Sequence, residues 1–316
     1  MLIVTGGAGF IGSHLVRELN RQGRTDILVV DNLQRSEKFR NLADLTIADY
    51  MDKRTFRSLL DANRLDCKVE AIFHQGACSD TMEYDGRYMM DNNFEDSKAV
   101  LDLAVRHKAP FVYASSAATY GASRVFAVDP AHERPLNVYG YSKLAFDQHV
   151  RHRLPDLQIP VAGLRYFNVY GTREQHKGRM MSVLHQLLRQ LIETGVCRLF
   201  EGTDGYGHGE HVRDFVHVDD IAAINLHFGF GPLRQGIFNA GTGRARSFNA
   251  IANTLIQHLG RGRIEYIPFP DSLRGKYQSF TQADISGLRK AGYAKPFLTL
   301  EEGIARTLED LPSAGH

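Results

Sequence analysis

Leu2-Ile-Val-Thr-Gly-Gly-Ala-Gly-Phe-Ile-Gly12 decides how the rest of this chain is read. Four residues with the character of a buried strand run into a turn of glycines, and a helical pattern through Leu15, Val16 and Leu19 follows. Gly7, Gly9 and Gly12 fit G-x-G-x-x-G, while Gly6, Gly9 and Gly12 fit the G-x-x-G-x-x-G variant. Glycines let the backbone turn tightly, and the first amides of a helix have no partners within it. A pyrophosphate therefore finds both room and donors there. A second apolar run, Ile27-Leu-Val-Val30, ends in Asp31, 19 residues beyond Gly12. That is close to the spacing at which an acid meets the ribose of a bound dinucleotide. Asp31 suits the free 2′-hydroxyl of NAD, whereas Asn32, Arg35 and Lys38 just beyond it offer polar and cationic groups to the 2′-phosphate of NADP. The residues alone leave that choice open.

Working outward, Leu45-Thr-Ile47 reads as a strand before a helical segment near Arg54–Leu60. Ala71-Ile-Phe-His-Gln-Gly-Ala77 reads as a strand before a helix near Phe94–Val105, and Phe111-Val-Tyr-Ala114 and Val161-Ala-Gly-Leu164 continue the series. Strands alternating with helices predict an α/β fold with a doubly wound parallel sheet of the Rossmann type. We expect residues 1–167 to form this dinucleotide-binding domain, with the chain returning to it around 212–245. Residues 168–316 are expected to form a smaller C-terminal α/β substrate-binding domain. Ligands in such sheets sit beyond the carboxyl ends of strands, where Gly76, Ser115, Ser116 and Asn168 fall.

The 316 residues carry 38 basic and 36 acidic side chains, a net charge of +2 that gives no reason to invoke nucleic acid or an anionic membrane. No stretch approaches the ~20 apolar residues of a membrane span. Leu2–Thr5 reads as a strand, not as part of a signal peptide. Cys67, Cys78 and Cys197 have neither disulfide nor metal-ligand spacing, which fits a reducing cytoplasm. His208 and His211 in the glycine-rich loop Thr203–His211 lack a converging third ligand, so no metal is expected and both should be solvated. That loop and the tail Leu311–His316 are the segments expected to be loose.

Tyr139 and Lys143 stand four apart in Val-Tyr-Gly-Tyr-Ser-Lys, on one face of an expected helix with Leu144, Phe146 and Val150 toward the core. A nearby cation favours the phenolate, so the pair reads as a tuned acid/base, with Ser116 able to hydrogen-bond the same reacting hydroxyl. With Arg165-Tyr-Phe-Asn-Val-Tyr-Gly171 and Arg213-Asp-Phe-Val-His-Val-Asp-Asp220, the chain resembles the extended short-chain dehydrogenase/reductases that act on nucleotide sugars. Within that group, Ile47–Lys53, His74–Ser79, Tyr88–Asn93, Ala114–Gly121 and Ile264–Pro270 are similar to the 6-epimerases of ADP-heptose, which serve lipopolysaccharide core synthesis.

The resemblance implies that Tyr139 is one acid/base, Lys143 its helper at the nicotinamide ribose, and Lys177 the second acid/base. It implies cofactor contacts at Gly6, Gly9, Phe10, Ile11, Gly12, Asp31, Asn32, Gln75, Gly76, Ala77, Cys78, Ser79, Asn92 and Val169. Lys38 and Lys53 would hold the cofactor phosphate, so NADP is preferred over NAD. ADP-heptose would be met by Asn168, Arg179, Gln186, Phe200, Glu201, Gly202, Thr203, Arg213 and Tyr277. A homo-oligomer, a pentamer, is implied as well. Thr172 and Gln186 depart from the group, which usually has Pro and His there, and the loop before Arg213 looks longer than usual.

Chemistry supports a second acid/base. Inversion requires the oxidised sugar to turn and take hydride on its other face, so its oxygen needs a proton donor in a second place. A lysine serves if its surroundings let the ammonium release a proton near neutrality. Arg213 matches diphosphate oxygens through its guanidinium fork; the alternative is an ion pair with Asp214 or Asp219. Elimination, as in a 4,6-dehydratase, would need an acid after Ser116, where Ala117-Ala-Thr119 stands. A 4-epimerase or a reductase of the same group is the nearer rival, and a non-catalytic dinucleotide sensor the more distant one.

Overall fold

The computed structural model describes residues 1–271 and 277–311. Its strands are β1 (Leu2–Thr5), β2 (Ile27–Asp31), β3 (Asp49–Asp52), β4 (Ala71–His74), β5 (Phe111–Ser116), β6 (Val161–Tyr166), β7 (Asn168–Tyr170), β8 (Val196–Phe200), β9 (Val212–His217), β10 (Gln235–Ala240), β11 (Ala245–Ser247) and β12 (Arg263–Ile267). Its α-helices are α1 (Phe10–Arg21), α2 (Lys53–Asp61), α3 (Gly86–Met90), α4 (Asp96–His107), α5 (Val138–Arg153), α6 (Val183–Thr194), α7 (Val218–Phe230), α8 (Phe248–Leu259), α9 (Ser286–Lys290) and α10 (Leu300–Glu309).

Strands pair into a seven-stranded sheet in the order β10-β6-β5-β4-β1-β2-β3, and every pairing is parallel. The alternation within β1 shows why helices cover both faces. Leu2 and Val4 join the cluster formed with Leu15, Val16, Ile221 and Phe228, while Ile3 joins Phe56, Val100, Leu101 and Phe146 on the other side. Strand order reverses between β1 and β4, so the crevice of the sheet opens at their carboxyl ends. A third cluster, with Leu184, Leu188, Cys197, Ile251, Leu255 and Ile304, gathers α6, α8, α10 and β8 beside this sheet. A three-stranded sheet (β11-β9-β7) and a two-stranded one (β12-β8) belong to this side.

One local expectation is corrected. The strand expected at Leu45–Ile47 lies later, at Asp49–Asp52. Asn20 grips Thr46 through both its amide atoms, at 2.8 and 2.9 Å, and Leu45 and Ile47 pack down onto the core. The polar residues after them pair instead with β2, Leu28 opposite Asp49, as the sheet's edge. The helix expected near Phe94–Val105 is present as α4, and it is preceded by a π-helical turn at Asp91–Glu95 that joins it to α3. Asn93 explains that turn. Buried, it accepts from Cys78 N at 2.8 Å and donates to Cys78 O at 2.9 Å and Ser142 Oγ at 3.0 Å.

The three cysteines are free. Among the described residues no helix is long and apolar enough to cross a membrane. Tail residues 312–316 lie outside the described residues.

Candidate active site

At the mouth of the crevice the glycine turn meets the loop after β4. Gly6 has φ +65°, and a Cβ on it would lie 2.7 Å from Gly76 N; one on Gly12 would lie 2.2 Å from Gly6 O. α1 begins at Phe10 with Gly9 as its cap, so no side chain occupies the helix's first amides and no acid stands in its first turn. Residue size and donor set therefore fit a dinucleotide pyrophosphate. Asp31 closes β2, with Oδ2 accepting from Ala8 N at 2.9 Å and Oδ1 from Asn32 N at 2.6 Å. Lys38 Nζ also pairs with Asp31 Oδ1 and reaches Asn32 O at 3.1 Å. Thus the acid that suits a ribose hydroxyl and the cation that suits a phosphate are in contact. Lys53 Nζ donates to Asn92 Oδ1. Gln75 accepts from the Tyr166 hydroxyl at 2.8 Å, and Gly76 N donates to Thr5 Oγ1 at 3.1 Å. Thr5 leans on buried His74, held to about 3 by burial and by Lys143. Ala77 and Ser79 are exposed beside half-buried Cys78, and Ile11 and Val169 are half-buried.

Ser116 ends β5, one residue pair beyond the expected end of that strand, and caps the turn that follows. Its Oγ accepts from Ala118 N at 3.1 Å and lies near the Tyr139 phenol. Asn137 caps α5 by accepting from Gly140 N at 2.8 Å, which fixes the start of the helix that carries Tyr139 and Lys143. Here a second correction is required. The expected cation beside the phenol is engaged elsewhere: Lys143 Nζ donates to Ala114 O at 2.8 Å. Burial pushes the Tyr139 phenol up, with the nearby Ser116 hydroxyl acting against it. Burial also brings the Lys143 ammonium down to about 8, opposed by Asp147.

Lys177 belongs to a short turn, Gln175–Met180, on the loop after β7. Its Nζ lies 3.3 Å from Glu174 Oε2 and 5.0 Å from the centroid of the Phe10 ring. Arg35 reaches across to His176 O at 3.0 Å, and Asn41 Nδ2 to Arg173 O at 3.2 Å. The loop is thereby tied to the segment after β2. Arg35, Ser36, Glu37, His176 and Gly178 line a groove of about 390 Å³ between them. Burial, with Lys38 and Lys177 adding to it, holds His176 near 4. Arg179, expected at the substrate, is exposed and pairs with Asp80 at 2.8 Å. Thr172 is buried, with its carbonyl 3.1 Å from His14 Nε2, so the turn is tied to α1 where the group usually has proline.

A separate cavity of about 220 Å³ opens between α6 and β8, lined by Gln186, Phe200, Gly209, His211, Phe248 and Tyr277 among others. Gln186 donates to Met181 O at 2.8 Å. Arg213 is buried, its guanidinium 4.7 Å from the Tyr277 ring and 5.6 Å from Phe248, and burial pulls it down. Among the described residues no carboxylate pairs with it. Asp214 is occupied by Thr242, Gly243 and Ala283, and Asp219 by Arg17, His14 and Arg306. Glu201 N bonds Ile267 O at 2.8 Å, and Gly202 N donates to His208 Nδ1 at 3.1 Å. Asn168, at the start of β7, is exposed.

The expectation of two solvated histidines fails for His211. It is buried, 2.9 Å from Thr203 Oγ1 and packed on Tyr206, Phe269 and Tyr277. His208 is exposed. The loop is stitched to its surroundings by these contacts, contrary to the looseness expected of it. Among the described residues no group of three His, Cys, Asp or Glu is placed to hold a metal ion. Gly275 and Lys276, beside Tyr277, lie outside the described residues.

The profile of the NAD dependent epimerase/dehydratase family matches residues 2–241. The chain belongs to that family. It is 59% identical over 314 residues to an ADP-L-glycero-D-manno-heptose-6-epimerase of Alkalilimnicola ehrlichii, covering 99% of this chain and 98% of that one. Among solved structures, the ADP-L-glycero-D-manno-heptose-6-epimerase of Helicobacter pylori is similar with a TM-score of 0.83 at 32% identity, covering 98% of this chain and 95% of that one. A UDP-glucose 4-epimerase of Thermotoga maritima, solved with UDP-glucose, follows at 0.82 and 27%, covering 98% and 97%.

As a member of the epimerase/dehydratase family the chain holds further groups that sequence reading missed. Asp147, one turn past Lys143, is fully buried and accepts from the Tyr113 hydroxyl, Ser115 Oγ and Arg165 Nε, each at 2.9 Å. Arg165 and Arg151 both pair with Glu133 at 2.5 Å. Glu174, beneath Lys177, is fully buried as well. An i+4 offset from Lys143 hinted at Asp147; nothing in the sequence pointed to Glu174.

Proposed function

We propose that this chain inverts carbon 6 of ADP-D-glycero-D-manno-heptose to give ADP-L-glycero-D-manno-heptose, with NADP as its nicotinamide cofactor. The reading is supported above all by where the candidate acid/base groups fall, all of them beyond the carboxyl ends of strands in the central part of the molecule. Ser116 and Tyr139 stand at the end of β5, and Lys177 stands over Phe10 at the start of α1. A nicotinamide held by the glycine turn and the loop after β4 would supply hydride chemistry at carbon 6. Tyr139 Oη exchanges the proton of the 6-hydroxyl in one orientation, with Ser116 Oγ holding that oxygen in place. After the keto sugar turns, Lys177 Nζ serves the oxygen in its second position. Lys143, charged below about 8, lends positive potential at the cofactor ribose.

The cavity beside Tyr277 takes the adenosine end of the substrate, and buried Arg213, lacking a carboxylate partner among the described residues, meets the diphosphate. Lys38 and Lys53 hold the cofactor phosphate. The name of the 59% identical relative supports the heptose. We further infer a division at residue 167 with a return to the first domain around 212–245, a cytoplasmic setting, and assembly into a pentamer.

The test is product analysis with ADP-D-glycero-D-manno-heptose carrying deuterium at carbon 6, under NADP and under NAD. The expected result is the L-epimer with deuterium retained, formed faster with NADP. Washout of deuterium into solvent, or no product with either cofactor, overturns the reading.

A further inference from the structure

Among the buried charges outside the groups just assigned, Glu174 has the least to explain it as packing. Its side chain is fully buried. Oε1 accepts from Gly171 N at 3.3 Å, and Oε2 accepts from Ser182 N at 2.7 Å and from Lys177 Nζ at 3.3 Å. Its own carbonyl accepts from Lys177 N at 2.8 Å. Tying a loop by two amides needs only neutral acceptors, which a glutamine oxygen supplies with far less desolvation than a carboxylate. The negative charge needs a partner. His185 Nε2 is 3.8 Å away and turns to Gly171 O at 2.5 Å. Among the described residues that leaves Lys177 as the cation at hydrogen-bond distance. His176 and Arg179 stand on the same turn, Asp31, Arg35 and Lys38 approach His176 from the end of β2 and the segment after it, and Phe10 faces Lys177 from α1. Gly178 follows Lys177 directly with φ +55° and ψ −124°, a conformation open to glycine, and a Cβ there would meet nothing within 4 Å.

We propose that Glu174 is a positioning residue for Lys177: its buried carboxylate holds the ammonium over Phe10, where the amine meets the substrate oxygen in its second position. The inference rests on the acid/base reading of Lys177. A carboxylate favours a neighbouring cation, so loss of its charge is read in the pH profile of turnover, where a purely structural tie leaves no mark.

The experiment compares pH profiles of kcat for the cofactor-loaded wild type, Glu174→Gln and Glu174→Asp with ADP-D-glycero-D-manno-heptose. In Glu174→Gln one limb is expected to move about one unit toward acid, with the other limb fixed and KM changed less than about twofold. Glu174→Asp keeps the charge and moves that limb by less. A lowered kcat or melting temperature with both limbs unmoved overturns the proposal, because a purely structural tie does exactly as much without the charge. Should Glu174→Gln fail to fold, Glu174→Asp decides alone: a displaced limb supports the proposal and an unmoved one overturns it. Near-normal turnover by Lys177→Met removes the acid/base reading and this inference with it. An inactive Lys177→Met beside an unmoved Glu174→Gln limb removes only the inference.

Discussion

The two lysines of the crevice are held in opposite ways. Lys143 rides on α5, a sixteen-residue helix packed against the central sheet, is 6% exposed, and is fixed to a strand carbonyl. Lys177 rides on a six-residue turn, is 23% exposed at its side chain, and rests on a carboxylate. A charge that only supplies potential gains from rigidity. A group that must meet an oxygen in its second position gains from a short turn with a glycine behind it. The contrast divides the crevice into a fixed wall and an adjustable one.

Four perturbations break or sharpen this contrast. Tyr139→Phe removes the proton-exchanging atom on the fixed wall, so kcat should fall about a thousandfold while melting temperature and bound cofactor stay unchanged. Lys177→Met acts on the other wall and should lower net epimerisation about a hundredfold or more, read by product analysis. Normal turnover there would leave Tyr139 as the single acid/base. Lys143→Met probes stability instead. Because folding lowers this ammonium from 10.5 to about 8, the unfolded chain binds more protons between those values. The wild type carries the full penalty below about 8 and loses it as pH rises toward 10.5. Relative to Lys143→Met, its unfolding free energy should therefore climb through that window, on the order of 3 kcal/mol, in denaturant titrations. Gly178→Ala strains the adjustable wall without a clash. It should lower kcat a few fold and stability by about 1–2 kcal/mol, measured by activity and thermal melting.

Elements written in consecutive residues were legible. The glycine turn, Asp31, the Tyr139–Lys143 helix and the parallel sheet each follow from periodicity and spacing. What escaped depends on contacts across the chain. Leu45–Ile47 looks like a strand because its apolar residues do anchor to the core, yet Asn20 holds Thr46 out of the ladder. Lys143 and Tyr139 share a helix face, but the carbonyl that claims the ammonium comes from Ala114, far back along the chain. His211 reads as solvated in a glycine-rich loop until three aromatic rings gather around it. Glu174 looks like any surface acid in Arg173-Glu-Gln-His until the loop folds over it.

The π-helical turn at Asp91–Glu95 has a consequence for how this chain tolerates change. It amounts to one surplus residue in an otherwise continuous helix, and each residue advances a helix by about 100°. Deleting one position there would restore an ideal spiral and shift the phase of everything before it relative to α4. Asn92 would rotate away from Lys53, and Asn93 away from Cys78 and Ser142. In this segment, then, length is a more exacting trait than identity: a conservative substitution leaves the phase intact, whereas a perfect helix would be the damaging variant.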